Sequence, residues 1–192
     1  MSNKPSTFFN MVGTLFIISF FSSAALGFVY EMTKGPIAKA TLEKKIKAIQ
    51  EVVPAFDNHP LDEVYSVDID EGTLFFYPAK KNNKLVGTAV ETLTTKGFSG
   101  IIKLMVGLLP DGTINNIVVV ETHETPGLGD KIKKEKSDFS KQFTGKNPSL
   151  FTLKVKKDGG SVDAITAATI SSRAFCDAVI KGYQAYKKEV RK

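Results

Sequence analysis

The residues best placed to do chemistry lie in Ser161–Ser172, where Asp163, Thr166, Thr169 and Ser171 follow the pair Gly159-Gly160. A helical pattern comes next, with Phe175, Val179, Tyr183, Tyr186 and Val190 at spacings of three or four. The hydroxyl cluster therefore sits where a loop enters a helix. The first turn of a helix presents unpaired N–H groups and the positive end of its dipole, which suits a phosphate. Ser and Thr also cap helices, so Thr166, Thr169 and Ser171 can equally be read as caps.

Two glycine-bearing loops precede this stretch. Gly97-Phe98-Ser99-Gly100 separates two strand-like runs and reads as a tight connection. Glu124-Thr125-Pro126-Gly127-Leu128-Gly129 follows His123 at the end of another run, and its Pro and Gly residues fix an irregular backbone. Neither loop completes a G-x-G-x-x-G fingerprint, and no P-loop is present.

Asp163 to Thr169 resembles the D-x-x-(S/T)-G-A-T flavinylation motif of FMN-binding domains, with Ala167 where the usual residue is Gly and Ala168 as the family's Ala. The resemblance implies covalent FMN, joined by a flavin transferase through its phosphate to the Thr169 hydroxyl. A positive φ at Ala167 would strain its methyl group. Gly97 to Gly100 is similar to the family's G-(Y/F)-x-G loop. Glu124 to Gly129 matches the family's E-T-P-G-L-G segment, which the resemblance places beside the flavin ring. Ile170 and Ser171 would complete the pocket. In order and length, the chain resembles the RnfG-type subunits of Rnf complexes, with the related NqrC subunits as a second choice.

That resemblance implies an electron carrier, not catalytic alone, relaying electrons between flavin and iron–sulfur centres in an ion-translocating ferredoxin:NAD oxidoreductase. The expected partners are RnfD-type, RnfA-type and RnfE-type subunits, the transferase and membrane lipid. A membrane-anchored binding or assembly module without redox work is the alternative from another class.

Composition narrows the chemistry. The net charge of +6 comes almost entirely from Lys; Arg173 and Arg191 are the only arginines. Base readers lean on the Arg fork, so nucleic acid is not an expected partner. Cys176 is the only cysteine, which excludes an intrachain disulfide and an all-cysteine cluster. The histidines are His59 and His123 alone, and no metal site is expected. No arrangement of Ser, His and Asp suggests a hydrolase.

The positioning elements read as α+β: a transmembrane helix, then an antiparallel sheet flanked by helices. Residues 8–30 form an uncharged apolar run long enough for a bilayer. A signal peptide with cleavage near Ser23-Ala24-Ala25 is the competing reading. The expected layout is a tail at 1–7, an anchor at 8–30, a linker and membrane-proximal helix at 31–54, and the FMN-binding domain at 55–192. Gly35-Pro36 is expected to break the anchor from a helix over Ile37–Val53.

Strands are expected near 64–67 and over 74–77, 85–93, 101–109 and 113–120, with turns at Asn82-Asn83 and Pro110-Asp111-Gly112. A Lys-rich helix over 131–143 and a strand over 151–155 complete the pattern. Lys34, Lys39, Lys44, Lys45 and Lys47 follow the span, which by charge bias favours a cytoplasmic domain. The resemblance implies the opposite: a single-pass protein of the inner membrane with its FMN domain outside the cytoplasm.

Overall fold

The computed structural model describes residues 7–190; the expected tail at 1–7 lies almost wholly outside them. The described residues fall into two compact units that divide between Lys44 and Lys45.

The first unit is most of helix α1, Phe8–Val52. Its apolar side chains, among them Phe9, Leu15 and Phe21, are exposed. Among the described residues it is the one helix long and apolar enough to cross a membrane. Its hydroxyls turn back onto the helix: Thr14 donates to the Asn10 carbonyl at 2.8 Å and Thr33 to the Val29 carbonyl at 2.8 Å. Such back-bonding satisfies polar groups where water cannot.

The helix does not break at Gly35-Pro36, contrary to expectation; Pro36 lies inside it. A proline removes one donor and crowds the carbonyl four residues earlier. Here Ala38, Lys39, Ala40, Leu42, Glu43 and Lys44 follow, all strong helix formers, and propagation resumes. Towards the end of α1, Ala48, Ile49 and Val52 are buried, as is the next residue Val53, whereas Leu42 is exposed.

The second unit is built on five antiparallel strands in sequence order: β1 (Tyr65–Ile69), β2 (Gly72–Lys81), β3 (Lys84–Gly97), β4 (Gly100–Leu108) and β5 (Ile114–Thr122). Asn82 and Asn83, with φ of 49° and 60°, form the two-residue turn between β2 and β3. Two left-handed residues match the twist of the flanking strands, and Asn tolerates that conformation. Gly97 pairs with Gly100, leaving Phe98-Ser99 as the tip of the β3–β4 hairpin.

Side chains alternate across the strands. Leu74, Phe76, Val90, Leu104 and Val106 pack with Phe175 and Val179 of helix α2, Thr169–Glu189. The opposite face sets Tyr77, Ala79, Ala89 and Met105 against Ala48, Ile49 and Val52 at the end of α1. That end lies directly on Gly107, where a Cβ would stand 1.8 Å from the Val52 carbonyl oxygen. Helix α2 is fixed to β3 by hydrogen bonds as well: Thr92 Oγ1 donates to the Ala178 carbonyl at 2.9 Å, and Thr94 Oγ1 to Asp177 at 2.7 Å.

Two further expectations fail between β5 and α2. Residues 131–143 form no single helix but two 3-10 turns, Gly129–Ile132 and Phe139–Phe143. Ser137 is the reason: its hydroxyl donates to the Lys131 carbonyl at 2.6 Å and accepts from the Phe139 N–H at 3.1 Å, replacing helical bonds. Residues 151–155 add no strand. Their N–H and C=O groups go into local turns, including Ser161 N–H to the Thr152 carbonyl, and one parallel bridge joins Val155 to Val162.

Candidate functional site

The start of α2 carries the hydroxyl cluster. Ala168, not a hydroxyl residue, is the N-cap, and no side chain caps the helix. The capping reading of Thr166, Thr169 and Ser171 is therefore wrong, and the first N–H groups of α2 are left without a side-chain acceptor.

The turn before the helix is closed by the Ala168 N–H donating to the Ile165 carbonyl at 3.0 Å. Its third residue, Ala167, has a φ of 63°. A positive φ at that position alone is the pattern of a type II turn, which favours Gly. The methyl of Ala167 is tolerated, at a cost of about 1 kcal/mol.

Ser172 holds this turn. Fully buried, it accepts from the Ile165 N–H at 2.9 Å and donates to the Ala168 carbonyl at 3.0 Å. Gln142 holds the segment before it: its amide oxygen accepts from the Asp163 N–H at 2.8 Å, and its amide nitrogen donates to the Asp163 carbonyl at 3.1 Å. The Asp163 carboxylate points to Lys156 at 2.7 Å, and Thr166 is exposed. Arg173 grips Asp158 through two bonds of 2.7 Å, and that pairing lowers the Asp158 pKa.

The two glycine loops meet the helix start at a single carboxylate. Glu124 is only 6% exposed. Its Oε2 accepts from the Ser171 hydroxyl at 2.5 Å and its Oε1 from the Ser99 N–H at 3.0 Å. A Cβ on Gly129 would stand 2.3 Å from Oε2, and one on Gly97 2.8 Å from Oε1. Both glycines thus leave the volume that the carboxylate fills. Burying an unpaired charge is costly, and these charge-assisted hydrogen bonds offset part of that cost.

Around this junction lies a cavity of about 330 Å³ lined by Phe98, Glu124, Thr125, Leu128, Ala167 and Thr169, with Gly129, Ala168, Ile170 and Ser171 completing it. Its size falls within the range of small-molecule sites. Phe98, Leu128 and Ile170 supply exposed apolar walls; Thr169 is half-buried. The expected Pro126 and Gly127 lie in the same loop without lining the cavity, while Ser99 and Gly100 lie in the hairpin beside Phe98. His123 stands next to the loop, outside the cavity lining. Sequence reasoning gives Gln142 and Ser172 no role of their own. Only folding brings Gln142 to Asp163, whereas Ser172 belongs to the hydroxyl-rich stretch itself.

Residues 97–184 match the model of the FMN-binding domain family. Beyond that domain, the chain is 37% identical over 174 residues to the G subunit of an ion-translocating oxidoreductase complex (RnfG) of Salmonella typhi, covering 86% of this chain and 84% of the relative. The chain belongs to the RnfG family. The corresponding protein of Erwinia tasmaniensis is 39% identical over 175 residues, covering 86% and 83% of the two chains. That of Escherichia coli K12 is 38% identical over 175 residues, covering 86% and 84%.

The site suits the cofactor that the family description names. Apolar walls from the Phe98 hairpin and Leu128 loop fit a flat ring, and an uncapped helix start beside a threonine hydroxyl fits a phosphate. Among the described residues no group of three or more His, Cys, Asp or Glu could hold a metal. Cys176 is on the buried face of α2, and burial pushes its pKa to about 12.

Proposed function

We propose that this chain is an FMN-carrying electron-transfer subunit of a membrane ion-translocating oxidoreductase complex, with FMN joined through its phosphate to the Thr169 hydroxyl. The observation that carries this reading is the convergence of Gly97–Gly100, Glu124–Gly129 and Asp163–Ser171 on one cavity with Thr169 in its wall. Bound flavin supplies one- and two-electron chemistry.

The chain's own residues then have distinct tasks. Leu128, Phe98 and Ile170 exclude water from the ring. Glu124 fixes the spacing of the loops around it. The N–H groups at the start of α2 and its dipole hold the phosphate. Ser172 and Gln142 present Thr169 on a turn of fixed shape, with Asp163 and Thr166 outermost, where a flavin transferase can read them. A covalent tether keeps the cofactor with a domain that faces away from the cytoplasm, and α1 ties that domain to the inner membrane. RnfD-type, RnfA-type and RnfE-type subunits are the neighbours this reading names.

The test is the chain expressed with a flavin transferase and examined after denaturation. The wild type is expected to fluoresce in the gel and to carry the mass of one FMN; Thr169→Ala is expected to lose both. Equal signals in the two proteins would exclude Thr169 as the attachment point. A wild type of bare polypeptide mass, in its own host, would favour the non-redox assembly module.

A further inference from the structure

Charge is distributed unevenly along this chain. Residues 131–157 hold nine lysines and two acids, more positive charge than the net +6 of the whole protein. This segment lies against the α2 side of the sheet, with Ile132, Phe139, Phe143, Leu153 and Val155 buried in the core. Lys134, Lys136, Lys146, Lys154, Lys156 and Lys157 are exposed. Some are paired locally, Lys156 with Asp163 and Lys134 with Glu51. Among the described residues Lys136, Lys154 and Lys157 make no ion pair. Leu150, 91% exposed, is the most exposed large apolar side chain described in the second unit.

Leu153, Lys154 and Val155 of this segment wall a second cavity, of about 410 Å³, distinct from the proposed flavin site. Leu153, Val155, Ala174 and Ile180 make it apolar. Three cations, Lys96, Lys154 and Arg173, line it with two acids, Asp158 and Asp177. Asp158 already binds Arg173, and Asp177 binds Lys96 at 2.7 Å; Lys154 acts on Asp158 through its charge but makes no ion pair, so it is the cation most open to an incoming carboxylate. Ile170 lines both cavities. Whatever fills the second one therefore rests against the first turn of α2, beside Thr169.

We infer that this cleft and its lysine-rich surround form the docking site for an acidic, apolar-tipped segment of a neighbouring protein in the complex. The inference rests on the reading above that the chain works within a complex. Complementary charge draws the partner in and orients it, while the slot accepts its apolar side chain. A concave slot next to the cofactor site suits a protein segment; a lipid surface would meet the lysines but leave the slot unfilled. Docked there, the partner stands one helical turn from the residue that carries the flavin.

The experiment uses the full-length chain in detergent-solubilised complex from its host. A carbodiimide joins lysines to carboxylates only in direct contact, and mass spectrometry maps the products. Cross-links from Lys136, Lys154 or Lys157 to carboxylates of another protein of the complex are expected. The triple variant Lys136→Glu, Lys154→Glu, Lys157→Glu should reduce them, with co-purification of that partner, by about tenfold or more at low salt. A wild-type map with these lysines joined to no other protein overturns the proposal. So does a variant that assembles fully but no longer binds phosphatidylglycerol vesicles, which would make the face a lipid contact. Retention of the Thr169 adduct in the variant shows that its fold is intact. A wild type without that adduct refutes the flavin reading, while the cross-link map still decides the docking site.

Discussion

The two ends of the cavity between Phe98 and Thr169 are held by different means. At the hairpin end, a buried carboxylate ties three segments together, Ser99, Ser171 and its own loop, and two glycines make room for it. At the threonine end, the turn 165–168 is held by neutral groups, the Ser172 hydroxyl on one side and the Gln142 amide just before it. A charge in a tight slot resists any change of geometry, because each of its bonds is strong and any lost one leaves an uncompensated anion. Neutral bonds at an exposed turn are weaker, and under the proposed attachment they leave Thr169 accessible to the flavin transferase. On the proposed function, the contrast matches rigidity to the ring and access to the tether.

Gly129→Ala strikes the rigid end hardest. Its methyl would overlap the Glu124 carboxylate, and displacing that group frees the Ser171 and Ser99 donors; a loss of about 3 kcal/mol is expected. Chemical denaturation measures it, and a loss under about 1 kcal/mol would mean that the carboxylate has room to move. Ser172→Ala attacks the other end. It strands the part-buried Ile165 N–H and should cost about 1–2 kcal/mol, with a fall in the fraction of chains carrying flavin by intact mass. Equal effects from the two substitutions would erase the distinction between the ends.

Ala167→Gly has the smallest expected effect and the opposite sign. Relief of the left-handed strain, about 1 kcal/mol, is partly cancelled by the freer unfolded chain. A net gain of roughly 0.5 kcal/mol should appear as a small rise in Tm. A clear loss would mean that the Ala167 methyl makes a contact worth more than its strain.

Local chemistry makes the hairpins readable before folding. Asn82-Asn83 and Pro110-Asp111-Gly112 carry their turn geometry in their own side chains, and the meander follows from them. Ala167 is readable in the same way, as a position where the motif's glycine points to a left-handed backbone. Other features depend on partners distant in sequence. Gln142 reaches Asp163 across 21 residues, and Glu124 reaches Ser171 across 47. The lysine spacing over 131–143 looks helical because periodicity does not register a Ser137 hydroxyl that competes for backbone bonds. Pro36 misleads for the reverse reason: one missing donor is a local defect, and the helix formers after it outweigh it.

Cys176 has a consequence of its own. A thiol that loses its proton only near pH 12 has almost no thiolate at neutral pH, and thiolate is the form that attacks disulfides or is oxidised. Burial therefore makes Cys176 a poor nucleophile and a poor target for oxidation, and its thiol serves as a small packing group of α2.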